Sequence, residues 1–221
     1  MAERVRAGGR AMLKVLVVGG DDLRQSLVTP GPGGESGFAA AIHVHQPAVQ
    51  VEVQELDVPP LPELVAGLTR DGSHGGLLDD DLDVVIISLL PHRQCSPEDV
   101  QAGMAALVER VQAASGAHVL VANVCTYGAS DDPGSNGTPS PRLQLRRLNL
   151  ALMELSQNLG ISILDVDRLM TELGAARTCP QPFHLSPAGA ASVAEEAARV
   201  LADYGFFEDR PLVAQVAREA E

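Results

Sequence analysis

The sequence predicts an α/β protein, a three-layer α/β/α sandwich around a five-stranded, mostly parallel sheet. Two observations lead to this fold class. Apolar, β-branched runs alternate along the chain with stretches of helical periodicity, which is typical of βαβ units. Aromatic residues make up only 3% of the chain and Trp is absent, so the core must consist of Leu, Val, Ile and Ala. Such a composition suits a buried parallel sheet that helices cover on both faces.

Five segments have the pattern of strands. The run LKVLVVG at 13–19 is continuously apolar apart from its lysine and leads into a pair of glycines. The segment at 49–55 alternates valine with polar residues, and VVIISLL at 84–90 is the most apolar of the five. The remaining predicted strands are residues 119–124 and 161–166.

Helices are expected between and after these strands. Ser96, Pro97 and Glu98 supply an N-cap, a first-turn proline and an acidic first turn, so a helix should begin there. Ser186 and Pro187 begin the last helix in the same way. The predicted helices are residues 38–45, 61–69, 97–115, 143–158, 167–173 and 188–204.

A single domain is expected, because 221 residues suffice for one substantial core. Residues 1–12 are rich in Arg and Gly and are expected to be a flexible N-terminal segment. Residues 13–204 should form the α/β domain, and residues 205–221 a C-terminal tail. Three of the six aromatic residues cluster near this boundary, where they could form a homo- or hetero-oligomer contact or pack back onto the domain; they are Tyr204, Phe206 and Phe207.

Charge and composition exclude several partners. The net charge is −13 and Lys14 is the only lysine, so neither nucleic acid nor an anionic membrane surface is an expected partner. Apolar runs are too short for a signal-peptide core or a membrane span, which favours a cytoplasmic protein. The expected partner is a small-molecule substrate. The three cysteines show no disulfide or metal spacing, and no cofactor is expected; they are Cys95, Cys125 and Cys179.

Two segments resemble the motifs of one enzyme family. VVGGDDL at 17–23 follows the first strand, and FHLSPAG at 183–189 opens the last helix. They are similar to the Gly-Asp-Ser-Leu and Asp-x-x-His-Leu-Ser-x-x-Gly motifs of the SGNH (GDSL) hydrolases, and the order of elements over roughly 13–204 is also similar. The resemblance places Asp22 where those enzymes carry the nucleophilic serine and His184 where they carry the catalytic base.

The sequence departs from the family at three places. Asp22 has no hydroxyl that could attack a carbonyl after giving its proton to an imidazole. Gln181 stands where the family has the aspartate that orients the base. The segment LPHR at 90–93 replaces Gly-x-Asn-Asp, so His92 falls at or near the position of an oxyanion-hole asparagine.

The candidate catalytic residues are therefore Asp22, His184 and His92. Asp22 and His184 could transfer protons, and an imidazole N–H of His92 could stabilise developing negative charge. Each has an alternative structural interpretation: a helix N-cap for Asp22, a solvent-exposed loop residue for His92, and a packed remnant for His184. Because the carboxyl ends of parallel strands share one edge of a sheet, Asp22 and His184 should lie close enough to interact. The candidate substrate-binding residues at this edge are Gly20, Asp21, Asn123 and Tyr127.

No metal site is predicted. A divalent cation could in principle bind to Asp22, His92 and His184. The same three residues are also expected where a hydrolase active site has degenerated, so they do not by themselves indicate a metal site. His43 and His45 resemble an H-x-H pair, yet residues i and i+2 of a helix do not face each other, so we expect surface residues.

Three functions remain open. The first is an SGNH-like bacterial enzyme that acts on a small acyl, carrier-linked or activated metabolite through Asp22 and His184. The second is a pseudo-hydrolase, a binding or partner subunit of a biosynthetic complex. An ordinary esterase that uses Ser26 is the least favoured, because Ser26 lies one helical turn beyond the strand-to-helix turn.

Overall fold

The computed structural model describes residues 12–31, 33–56, 61, 81–133 and 138–207. The predicted helix at 61–69 lies outside the described residues except for Leu61, as do the first eleven residues and the tail beyond Phe207.

The five predicted strands form one sheet. In chain order they are β1 (Met12–Val18), β2 (Gln50–Leu56), β3 (Val84–Ser88), β4 (His118–Ala122) and β5 (Ser162–Leu164). Their spatial order is β2-β1-β3-β4-β5, and every neighbouring pair is parallel. The predicted fold class is thus confirmed, although β3 and β5 are shorter than the apolar runs that predicted them.

Helices lie on both sides of this sheet. In the described residues they are α1 (Asp21–Leu23), which continues as a π-helical turn (Arg24–Val28), α2 (Gly37–His45), α3 (Pro97–Ala114), α4 (Pro141–Leu159), α5 (Val166–Leu173), α6 (Ala175–Thr178) and α7 (Pro187–Asp203). A 3-10 turn, Leu90–His92, follows β3. Serine side chains cap four of the helices by accepting a backbone N–H in the first turn; these are Ser36, Ser96, Ser140 and Ser186.

The core has two halves, one on each face of the sheet. Alternate residues of β1 point to opposite faces, so Val15 and Val17 pack on one side while Leu16 and Val18 pack on the other. Helices α2 and α7 pack together on the first side, and α3 and α4 on the second. The result is a three-layer sandwich.

The strand order reverses between β1 and β3. From β1 the chain moves outward to β2, and then returns to place β3 on the other side of β1. The loops after β1 and β3 therefore leave in opposite directions, which opens a crevice at their carboxyl ends. This is the point in the fold where a ligand site is expected.

The last described residues pack onto the domain. Phe207 is buried in the core half that α2 and α7 cover, and Phe206 packs edge to face against it with ring centroids 5.5 Å apart. Tyr204 is 68% exposed. Two of the three clustered aromatic residues thus contact the chain's own core, and an oligomer contact through the tail stays a prediction. No helix among the described residues has both the length and the apolar content that a membrane span requires.

Candidate active site

Asp22 lies at the crevice, directly beyond the turn that follows β1. Its side chain is buried, with 9% of the residue exposed. Ser88, the last residue of β3, donates its Oγ hydrogen to Asp22, with the two carboxylate oxygens 2.8 and 3.2 Å away. The backbone N–H of Leu90 in turn donates to Ser88 Oγ at 3.0 Å. The position that resembles a nucleophile motif in the sequence therefore holds a carboxyl group that is hydrogen-bonded inside the protein.

The two glycines before Asp21 permit this arrangement. A Cβ on Gly19 would lie 2.9 Å from the Cβ of Ser88, too close for the two strand ends to keep their present distance. A Cβ on Gly20 would contact Asp22 Oδ1 and the Pro91 ring, each at 3.4 Å. The glycines thus let the turn approach β3 closely enough for Ser88 to reach Asp22.

Burial controls the proton affinity of Asp22. Loss of hydration raises the pKa of this carboxyl above its usual value, and the negative charge of Asp21 acts in the same direction. The hydroxyl of Ser88 and backbone N–H groups oppose the rise in the pKa, because they stabilise the carboxylate. Burial is the larger effect, so the neutral acid is favoured more than at an exposed aspartate.

His92 points into the fold. It ends the 3-10 turn after β3, only 1% of it is exposed, and its Nδ1 accepts the backbone N–H of Leu61 at 3.3 Å. Burial lowers its pKa to about 4, so the imidazole is neutral near pH 7. Among the residues that the structure describes, His92 does not line the cavity beside Asp22.

His184 is exposed on a tight turn before α7. A backbone bridge joins Gln181 to His184, and the Nδ1 of His184 lies 2.9 Å from the carbonyl oxygen of Pro182. Because a carbonyl oxygen only accepts, Nδ1 carries the hydrogen in this contact, and Nε2 is the acceptor nitrogen of the corresponding neutral tautomer. The backbone of Pro182 therefore selects the tautomer of His184.

The space between these groups is small. A cavity of about 20 Å³, roughly enough for one water molecule, lies beside Asp22, Asn123 and Phe183. Phe183 has a positive φ of 65°, an uncommon conformation for a bulky residue, and its ring carries the guanidinium of Arg93 at 5.2 Å. Both Asp22 and the neighbours of His184 line this cavity, yet within the described residues no hydrogen bond or ion pair joins Asp22 to His184.

The remaining candidate binding residues are only partly brought together. Asn123 lines the cavity, but its side chain donates to Asp165 at 2.7 Å and accepts the N–H of Asp167 at 3.0 Å. Asp21 is exposed beside Arg24, with 3.9 Å between the charged groups. Tyr127 is 42% exposed and is not part of the cavity wall.

The other sequence candidates make local contacts. Ser26 is buried and donates its hydroxyl to the carbonyl oxygen of Asp22 at 2.7 Å. His43 lies 3.1 Å from Glu35 and 2.8 Å from the Val49 carbonyl oxygen. No cluster of three or more potential metal ligands occurs in the part of the chain that the structure describes.

Sequence reasoning did not single out Ser88, Cys125 or Cys179 as part of this site. Ser88 ends the strand next to β1, and the pairing of Val18 with Ile87 brings the two strand ends level. Ser88 could have been noticed in the sequence, because it is a polar residue at the end of the most apolar strand. Cys125 and Cys179 had no such signal, because only the folded chain brings them to one cavity.

Comparisons with known proteins agree with this architecture. No family model matches the sequence, and no curated protein matches it either. Among solved structures, a protein from Slackia heliotrinireducens assigned to the SGNH hydrolases is similar, with a TM-score of 0.61 and 21% identity over 86% of this chain and 99% of that one.

Two esterase structures are similar over the same extent. A mutant of Axe2, an acetyl-xylooligosaccharide esterase of a Geobacillus species, gives a TM-score of 0.62 at 15% identity, covering 86% of this chain and 94% of that one. Est24, a carbohydrate acetylesterase from Sinorhizobium meliloti, gives 0.59 at 15% identity, covering 87% and 99%. The chain is thus a three-layer α/β protein. More narrowly, its fold is that of the SGNH (GDSL) hydrolases.

Proposed function

We propose that this chain is a pseudo-hydrolase, an SGNH-fold protein that serves as a binding or partner subunit and does not hydrolyse esters through a serine. One observation carries the proposal. The nucleophile position holds the buried carboxyl of Asp22, to which Ser88 is bonded at 2.8 Å. A serine hydrolase needs a hydroxyl that gives its proton to a nearby base as it attacks, and a carboxyl group cannot act in this way.

The surroundings of Asp22 support the same interpretation. Asn123 and His92, which could have bound a substrate or an oxyanion, both bond to other parts of the chain. The cavity beside Asp22 has a volume of only about 20 Å³, far below the roughly 300 Å³ at which small-molecule sites begin. Among the described residues, the small volume of this cavity supports a partner subunit more than a small-molecule site.

A second candidate is an enzyme that acts on a small acyl, carrier-linked or activated metabolite. Two observations favour it: burial favours the protonated form of Asp22, and the imidazole of His184 is exposed with its Nδ1 donating to the Pro182 carbonyl oxygen. In that reaction Asp22 would act as the acid and His184 as the base. Since two of the similar structures are named as acetylesterases of carbohydrates, acetylated xylo-oligosaccharides are the first substrates to assay.

An ester-hydrolysis assay separates the two candidates. Release of acetate from p-nitrophenyl acetate and from acetylated xylo-oligosaccharides is measured for the wild type, Asp22→Asn, His184→Ala and the matched control Ser26→Ala. The pseudo-hydrolase predicts that all four proteins match the buffer rate. A wild-type rate that falls by roughly 10²–10⁴ in Asp22→Asn and in His184→Ala would overturn the proposal in favour of the enzyme.

A further inference from the structure

Two of the three cysteines meet in the wall of the cavity beside Asp22. Cys125 lies beyond the end of β4 and Cys179 just after α6, and both are buried. Both thiols line this one cavity, and each shifts the pKa of the other. Cys95 is partly exposed and packs against the other half of the core. The fold therefore pairs two thiols that the sequence keeps far apart.

The two thiols differ in their surroundings. The interaction with Cys125 lowers the pKa of the Cys179 thiol to about 7; the backbone N–H groups of Phe183 and His184 act in the same direction, and burial opposes them. In its thiol form Cys179 donates to the Gln181 carbonyl oxygen at 3.3 Å. Burial and the neighbouring sulfur raise the pKa of Cys125. The thiolate is thus favoured on Cys179 and disfavoured on Cys125.

Such an asymmetric pair has the chemistry of a redox-reactive dithiol. A thiolate attacks an oxidant, and a neighbouring thiol then resolves the oxidised sulfur as a disulfide. The cavity that both cysteines line holds about 20 Å³, so an oxidant close to water in size is the kind that could reach them.

We propose that Cys125 and Cys179 react with hydrogen peroxide to form an intramolecular disulfide next to Asp22. The Cys179 thiolate attacks one peroxide oxygen and breaks the O–O bond, giving a sulfenic acid on Cys179 and releasing the other oxygen as water. The sulfur of Cys125 then attacks the Cys179 sulfur, and the sulfenic hydroxyl leaves as a second water with the Cys125 proton. In sum, two thiols are oxidised to a disulfide while one peroxide is reduced to two waters.

The disulfide would connect two segments of the candidate site. It would join the loop after β4 to the turn that carries Phe183 and His184, across the cavity beside Asp22. This inference does not depend on the proposed function, because it concerns the thiols alone.

Peroxide treatment of the reduced, folded protein tests the inference. After unfolding and alkylation, we expect a mass lower by two hydrogens, alkylation of Cys95 only, and one linked peptide pair containing Cys125 and Cys179. Cys95→Ser, the matched control, should form the same disulfide at the same rate.

The two single variants distinguish the roles of the sulfurs. Cys125→Ser should stop at a sulfenic acid on Cys179, which dimedone traps, whereas Cys179→Ser should react with peroxide at least tenfold more slowly. Alkylation of both Cys125 and Cys179 in peroxide-treated wild type, or oxidation of Cys95 first, would overturn the inference. The wild-type map decides the matter even if a variant fails to fold.

Discussion

A hydroxyl and a carboxyl at the same backbone position differ in what burial does to them. A buried serine stays neutral, whereas a buried aspartate must either find partners for its charge or keep its proton. Asp22 has one hydroxyl donor from a side chain, Ser88, and no cation pairs with it in the described part of the chain. The crevice therefore favours a neutral acid, which is a poor nucleophile.

Replacement of Asp22 by Asn tests the protonation state. The folded protein holds the Asp22 proton more tightly than the unfolded chain, because the pKa of the buried carboxyl is raised. The free energy of unfolding contributed by this group therefore falls as the pH rises from 3.8 through the folded-state pKa. Urea unfolding should show that the free energy of unfolding of Asp22→Asn lacks this decrease with rising pH. An identical pH dependence in both proteins would contradict the raised pKa.

His92 should have the opposite effect on stability. Its pKa is lowered from 6.5 to about 4, so the unfolded chain binds the proton more readily than the folded protein. The contribution of His92 to the free energy of unfolding is fully present above pH 6.5. It decreases as the pH falls toward 4, by up to about 3 kcal/mol.

His92→Asn provides the measurement. The Asn Oδ1 can accept the Leu61 N–H as the imidazole Nδ1 does, but the side chain does not titrate. Urea unfolding between pH 7 and 4 should show a smaller loss of stability in His92→Asn than in the wild type. Equal losses would indicate that His92 is accessible to protons in the folded state.

At the scale of elements, hydrogen bonds and close packing fix the turn before α7. Ser186 donates its backbone N–H to the Thr178 carbonyl oxygen at 2.7 Å and caps α7 through Gly189. Gly189 lies against the same carbonyl, since a Cβ there would come within 2.3 Å of Thr178 O. The glycine of the C-terminal motif is thus required by packing, and it fixes where His184 and Cys179 lie.

Gly189→Ala should destabilise the protein and displace this turn. The added Cβ has to push α7 away from a backbone carbonyl, and overpacking of this kind costs about 1–3 kcal/mol or more. Gly33→Ala is the control, since a Cβ at Gly33 meets nothing within 4 Å. Chemical denaturation should show a lower midpoint for Gly189→Ala only; equal midpoints would contradict the close contact.

The elements themselves could largely be predicted from the sequence. Apolar runs predicted the strands, and serine caps such as Ser96 and Ser186 predicted where helices begin, because these signals are local. The expectation that Asp22 and His184 lie close enough to interact stays a prediction, since no hydrogen bond or ion pair joins them among the described residues. The Ser88–Asp22 bond, the inward turn of His92 and the cysteine pair were not predicted, since each depends on side-chain contacts between distant segments.

At the scale of the whole molecule, Phe206 and Phe207 pack onto the domain just beyond the last helix. Phe207 is 5% exposed and packs into the core half covered by α2 and α7, while Phe206 also lies near His118 at the end of the sheet. Both rings therefore contribute to the core that the described residues form.

Phe207→Ala should lower the free energy of unfolding by about 3–5 kcal/mol, the usual cost of removing a buried phenyl ring. Tyr204→Ala is the matched control and should change it by no more than about 0.5 kcal/mol, because Tyr204 is 68% exposed. Urea denaturation of both variants measures the difference. A Phe207→Ala variant as stable as Tyr204→Ala would show that the rings do not belong to the core.

The strand order places the crevice of the fold between β1 and β3, where Ser88 is hydrogen-bonded to the buried carboxyl of Asp22. A fluorophosphonate probe, which reacts with activated serines, tests this central claim most directly when adducts are followed by intact mass on the folded protein. We predict no adduct, because the two serines nearest the nucleophile position, Ser26 and Ser88, are buried and donate their hydroxyls to Asp22. Stoichiometric labelling of Ser26 or Ser88 would contradict the account.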